Sequence, residues 1–197
     1  MITIKPIITD IREYQRGTLP KNARKIDTAN SIDEMMKKSA PITAMLCVSL
    51  IATMFIKTFM SHTRVIYPIG ILIGLMIGFI LLLVHEWLHA IVYPRQAKVT
   101  IGRVKGKILF VALASYPMSR IRFILMSLLP FLLGILPLVV FIISPAENKM
   151  LNGVMFGMAS IGMTSPALDV YNVVAVLRFS QRGEKIMFYE DDLFRIS

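Results

Sequence analysis

Four stretches of this chain are each long and apolar enough to cross a lipid bilayer, and nothing else in the sequence limits the fold so strongly. A span of the hydrocarbon core needs roughly 20 largely apolar residues. The first block runs from Ala40 to Ile56 and is ended by Lys57. The second, Pro68 to Tyr93, contains no Lys or Arg. The third is Phe123 to Ile143, and the fourth, Leu151 to Leu177, is less apolar and rich in Gly, Ser and Thr. The chain is 55% hydrophobic with a mean hydropathy of +0.66. A soluble domain would spread those residues periodically instead of gathering them in blocks. Four helices and one basic loop use nearly all 197 residues. The pattern predicts an all-α membrane protein of about four transmembrane helices, with a short cytoplasmic-side β-hairpin between the second and third. Residues 1–39 form a cytoplasmic N-terminal segment, 40–179 the embedded domain and 180–197 a cytoplasmic tail.

Charge sets the expected orientation. The net charge is +10, from 22 Lys and Arg against 12 Asp and Glu. Eight of the 22 lie before Ala40, seven between the second and third blocks, and four after Leu177. The remaining three are Lys57, Arg64 and Lys149. Four spans place the three basic-rich segments on one side, 19 charges against 3, which the positive-inside rule makes the cytoplasmic side. Both termini are then cytoplasmic in a multi-pass protein of the cell membrane, with anionic lipid as neighbour. Nucleic acid is not expected as a partner, because no aromatic residues interleave the basic ones. The single cysteine, Cys47, can form neither an internal disulfide nor a cysteine metal site. The 39 mixed residues before the first block do not read as a signal peptide.

The second block contains His85-Glu86-Trp87-Leu88-His89, an H-E-x-x-H pattern. Residues four apart on a helix share a face, so both imidazoles can reach one ion. Glu86, offset by one position, can reach a water on that ion. Zinc takes neutral nitrogen donors at roughly 2 Å, and a catalytic site leaves one of four positions to water, whose pKa falls to about 7. Glu86 then serves as the base. A carboxylate in a lipid-embedded helix costs on the order of 2.5–3.5 kcal/mol unless it is matched, and a divalent cation matches it. The alternative is two packed histidines, with Glu86 bonded to an Arg or Lys from the basic loop.

A third ligand is needed, either a carboxylate or a solvent molecule. His62 and Glu147 lie in the loops on the opposite side, which leaves Asp169, the only charged residue of its block. His85 and His89 stand ten and six residues before Arg95, and Asp169 nine before Arg178. At 1.5 Å per residue both groups sit about 9–15 Å inside the same boundary. Asp169 is therefore the candidate third ligand; the alternative is a hydrogen-bond partner for another helix. Asn172, one turn further on, can orient that carboxylate, donate to an oxyanion, or make an interhelical contact. Pro166 removes a helix hydrogen bond, which predicts a kink or an unwound turn beside Asp169.

An H-E-x-x-H helix with a later aspartate resembles the site-2 protease type of intramembrane zinc metalloprotease. Ser165-Pro166-Ala167-Leu168-Asp169 is similar to that family's segment ending in Leu-Asp-Gly, with Val170 in place of the glycine. The asparagine that family often carries upstream is absent from Ile161 to Ser165. The closer resemblance is to the small bacterial multi-pass membrane proteins grouped as a family of unknown function and known as putative zincin peptidases. They share H-E-x-x-H, a short basic extended segment, a span opening like Met118-Ser119-Arg120-Ile121-Arg122, and a later span with Asp. That resemblance covers about residues 65–190. It implies one zinc per chain held by His85, His89 and Asp169, with Glu86 as base, and it supplies no substrate.

Between the second and third spans, Val99 and Ile101 and then Ile108 and Phe110 carry β-branched or aromatic character with some alternation, and Lys105-Gly106 between them predicts a hairpin turn. Its free edge can pair with an extended substrate, or its lysines can hold it to headgroups. The expected function is a zinc metallopeptidase cutting membrane or membrane-near proteins on the cytoplasmic side, with Glu86 activating zinc-bound water. The alternative is a metal-binding membrane protein of regulatory or transport-related role that cuts nothing.

Overall fold

The computed structural model describes residues 1–29, 31–106 and 109–197. In chain order the elements are β1 (Ile2–Ile8), α1 (Ile11–Tyr14), β2 (Ala23–Lys25), α2 (Ile32–Ser61), α3 (Pro68–Val92), β3 (Val99–Val104), β4 (Phe110–Leu113), β5 (Met118–Ser119), α4 (Arg120–Leu128), α5 (Leu132–Ile143), α6 (Lys149–Thr164), α7 (Ala167–Phe179), β6 (Lys185–Tyr189) and β7 (Asp192–Ile196). Four stretches are helical, long and apolar enough to cross a membrane: Asp33–Ser61, Pro68–Val92, Arg120–Ile143 and Lys149–Phe179. The third is broken by a 3-10 turn at Leu129–Phe131, which contains Pro130, and the fourth at Ser165-Pro166. A proline has no N–H to continue the helical ladder, and its ring crowds the preceding turn. The expected interruption before Asp169 is thus present.

The chain forms two compact units. One comprises residues 1–39, 86–129 and 168–197, the other 40–85 and 130–167. The cuts fall inside α2, α3 and α7 and in the 3-10 turn at Leu129–Phe131.

The first unit corrects the all-α expectation. It carries two sheets, ordered β1-β3-β4 and β2-β7-β6-β5. The expected hairpin exists as β3 and β4, antiparallel with Ile101 opposite Ala112 and Arg103 opposite Phe110. Gly106 turns it with a φ of +76°, a backbone state that costs glycine little. Of the residues assigned to that hairpin, Lys107 and Ile108 lie outside the described residues. The hairpin is not alone: β1 lies parallel to β3, Ile4 beside Ile101 and Ile8 beside Val104. The register slips between Lys5 and Ile7, around Pro6, which has no N–H to give the ladder. In the second sheet the tail strands β6 and β7 pair with each other, with β2 and with β5. Ala90, Tyr93, Val99, Ile101, Met118, Phe123, Met126, Val176, Ile186 and Leu193 make one buried core across helices and sheets.

The second unit is all helix. Glycines spaced by four on α3, Gly70 and Gly74, meet Gly153 and Gly157 of α6. A Cβ on Gly70 would stand 2.8 Å from the Met150 carbonyl oxygen, and one on Gly157 2.8 Å from the Leu75 nitrogen. Only glycine allows such an approach, and small residues let helices pack by van der Waals contact where lipid removes the hydrophobic drive. At one end of α2, Lys57 Nζ donates to the Phe141 carbonyl, to the Ser144 carbonyl at 2.7 Å and to Asn152 Oδ1 at 3.0 Å. The ammonium also stands 4.6 Å from the Phe141 ring centroid. It satisfies carbonyls at the C-terminus of α5, where a cation is favoured.

Candidate metal centre

His85, Glu86 and His89 occupy the last two turns of α3 and are all buried. Asp169 lies in the first turn of α7, just past the Ser165-Pro166 break. The break lets this carboxylate project from the start of a new helix, where the macrodipole favours negative charge. In the first unit, Nε2 of His89 stands 3.4 Å from Oδ1 of Asp169. His85 is one turn back on the same continuous helix, and one ligand atom each from His85, His89 and Asp169 lie within 4.8 Å of one another.

Hydrogen bonds orient both imidazoles. Nδ1 of His89 lies 2.8 Å from the Met126 carbonyl oxygen on α4. A carbonyl only accepts, so Nδ1 carries a proton, and Nε2, facing Asp169, is the nitrogen left for a metal. This is the tautomer a metal needs, set by the bond on the other nitrogen. In the second unit, Nδ1 of His85 lies 3.3 Å from Oγ of Ser165, a hydroxyl able to accept the Nδ1 proton. Two ligands on a tetrahedral zinc at roughly 2.0–2.1 Å stand about 3.3 Å apart. The donor set of two neutral nitrogens and one carboxylate, and the His89–Asp169 separation, fit that ion.

Glu86 has a partner on the hairpin: its carboxylate accepts a hydrogen bond from the Ala112 backbone N–H. The register accounts for it. Val104 N–H donates to Leu109 C=O, so 104–109 is a hydrogen-bonded pair and the opposed residues alternate from there. Ala112, opposite Ile101, then turns its N–H away from β3 and off the outer edge of β4. Glu86 stands at that edge.

Other residues fall as follows. Asn172 is buried one turn beyond Asp169 on α7. Tyr93, four residues after His89 and just past the end of α3, is buried. His62 stacks at an angle on Phe59, with ring centroids 6.3 Å apart. The alternative partner for Glu86, a basic-loop side chain, finds two of its candidates engaged elsewhere. Arg122 Nε donates to the Val92 carbonyl at 2.6 Å and Nη2 to Tyr93 at 3.2 Å, closing the end of α3, while Arg120 donates to Leu177 at 3.0 Å. Three contributors escape a reading of the sequence. The Met126 carbonyl and the Ala112 N–H are backbone groups with no side-chain signature. Ser165 was visible beside Pro166, but its role needs the fold.

The family model described as "Putative zincin peptidase" matches residues 78–183, a stretch that contains both histidines, Glu86 and Asp169. No curated protein and no solved structure matches the chain.

Proposed function

This chain belongs to the family described as putative zincin peptidases, and from that premise we propose that it is a membrane-embedded zinc metallopeptidase. Its substrates on this reading are membrane or membrane-near proteins, cut on the cytoplasmic side. The observation that carries the proposal is the pairing of His89 with Asp169 under the hold of Met126, beside a buried glutamate at the open edge of a strand.

His85, His89 and Asp169 would hold the ion, one per chain. Zinc, when bound, polarises a peptide carbonyl and brings the pKa of water to about 7. The chain supplies the rest. The outer edge of β4 offers backbone groups to an extended peptide, which adds as a further strand and brings its scissile bond to Glu86. Glu86 takes the proton of the attacking water and gives it to the leaving amine. Asn172, one turn beyond Asp169, and Tyr93, four residues beyond His89, are buried neutral donors that would serve a developing oxyanion. The buried walls limit competing water.

A second reading, a metal-binding membrane protein that cuts nothing, has one observation in its favour: the Ala112 bond gives Glu86 a purely structural use. Comparing the membrane proteomes of cells carrying wild-type protein and Glu86→Gln separates the two. Uncut substrates accumulate with the variant if the chain is a peptidase. Identical proteomes, with zinc retained and a phenotype only for His85→Ala, would establish the second reading.

A further inference from the structure

The sheet β1-β3-β4 exposes one strand of unusual character. In β1, Ile4 is 65% exposed and Ile7 48%, with Met1 beside them at 79%. Laterally paired residues in a sheet share a face. Ile4 lies next to Ile101, which is 3% exposed, and Ile7 next to Arg103, which is exposed. The apolar cover over β3 therefore stops short of β1, and Ile4 and Ile7 continue that face beyond it. Phe110, opposite Arg103 on β4, stands on the same face and is half-buried.

The charge around this face has one sign. Lys5, Lys98, Arg103 and Lys105 are exposed on or beside the sheet. No Asp or Glu occurs in residues 1–9, nor anywhere between Glu86 and Glu147. Acidic residues elsewhere in the unit do pair with basic ones, as in Arg12 with Asp191 at 2.6 Å and Lys25 with Asp192 at 2.8 Å. This sheet has no acidic residue of its own to pair with.

Lys5 and Pro6 are ordinary protection for an edge strand, since a charge and a missing N–H discourage another strand from adding there. That argues against a peptide partner on β1. It leaves Ile4 and Ile7 unexplained, because an edge protected from pairing gains nothing from exposed isoleucines. Aliphatic side chains ringed by Lys and Arg match one partner well: the boundary between acyl chains and anionic headgroups, where the first group enters the apolar layer and the second meets phosphate.

We propose that the face formed by Ile4, Ile7 and Arg103, with Lys105 at its margin, docks on the anionic surface of a bilayer. The inference rests on reading the four long helices as membrane spans and is independent of the peptidase reading. Its consequence for that reading is positional. β1 is parallel to β3, β3 carries β4, and the β4 edge meets Glu86. A docked β1 keeps the proposed substrate edge at the membrane boundary.

The test uses the full chain in nanodiscs. Cys47 is replaced by Ser, and a single cysteine at Ile4 or Ile7 carries an environment-sensitive fluorophore; Arg182→Cys, on an exposed turn, serves as reference. In discs containing phosphatidylglycerol, a nitroxide high on the lipid acyl chain quenches the labels at 4 and 7 and not the label at 182. Each of Arg103→Gln and Lys105→Gln lowers the docked-to-free ratio roughly fivefold. Moving the unsubstituted protein into phosphatidylcholine discs lowers it further, a control that needs no change in the basic residues. Labels at 4 and 7 reached by aqueous iodide and untouched by the acyl nitroxide in anionic discs overturn the proposal. Equal quenching in the two lipids overturns its anionic component. The size-exclusion profile of each variant, measured in parallel, tells a loss of docking from a loss of fold.

Discussion

Nε2 of His89 stands 3.4 Å from Oδ1 of Asp169, although eighty positions separate them in the chain. That is close to the separation of two ligands on one tetrahedral zinc, about 3.3 Å. With no ion the same pair is a histidine–carboxylate bridge, so the metal question is decided by measurement of the ion itself.

Purified protein is expected to carry about one zinc per chain by elemental analysis. His85→Ala, His89→Ala and Asp169→Ala each remove one donor from the cluster and should lower that figure several-fold. Full zinc in the His85→Ala, His89→Ala double variant would falsify the site.

Glu86 stands outside the three-ligand set, so Glu86→Gln should leave zinc near one per chain. Loss of a general base typically costs roughly 10²–10⁴-fold in rate. Glutamine can still accept the Ala112 N–H through its carbonyl oxygen. The fold should therefore survive, and the measurement is turnover of whichever membrane peptide accumulates in the variant. Unchanged turnover removes Glu86 from the mechanism.

Gly74→Leu and Gly157→Leu drive side chains into the facing backbone of α6 and α3. Overpacking usually costs about 1–3 kcal/mol, and a backbone neighbour that cannot turn aside puts these at the upper end or beyond. Size-exclusion profiles in detergent after a heating series read the loss. Wild-type behaviour of both variants argues that the two helices do not pack through these glycines.

Lys57→Met leaves the Phe141 and Ser144 carbonyls and Asn152 Oδ1 without their charged donor. Hydrogen bonds to charged groups contribute about 1.5–3 kcal/mol. The midpoint of thermal aggregation should drop by several degrees, and Lys57→Arg should recover part of it. Equal midpoints for wild type and Lys57→Met mean that water supplies those carbonyls.

Cysteines near Arg16, Lys105 and Arg182 are expected to react with an impermeant reagent from one side only, and one near Thr63 from the other. Arg16, Lys105 and Arg182 lie in the basic-rich segments and Thr63 does not, and the basic residues divide 19 against 3 in that sense. Labelling of Lys105 and Arg182 from opposite faces defeats a four-span arrangement.

How much of this was legible beforehand depends on whether the signal is local. Apolar blocks and the spacing of His85 and His89 are local, and α3 runs from Pro68 to Val92 as its composition dictates. Asp169 could be found by counting residues to the nearest basic boundary, because a straight helix turns sequence distance into depth. The β3–β4 pair carried a turn signal at Gly106. The partner of β1 carried none: Ile4 meets Ile101 ninety-seven positions later, and Pro6 spoils the alternation that marks a strand. β6 and β7 turn at Glu190, a non-glycine residue with a φ of +53°, where the sequence advertises no turn. The glycines at 70, 74 and 78 were spaced visibly, but which helix they admit is settled only by packing.

The tail sheet ends on β5, whose Met118 and Ser119 pair with Ile186 and Lys185. Ser119 is also the cap of α4, accepting the Arg122 N–H at 3.3 Å, and two turns along that helix Met126 holds His89. Damage near position 186 therefore travels by rigid elements to an imidazole. If the proposed metal site holds, a frameshift or a nick after Arg178 would register first as a weakened hold on the ion. A screen for metal-binding defects would then return lesions in the tail hairpin, far in sequence from any ligand.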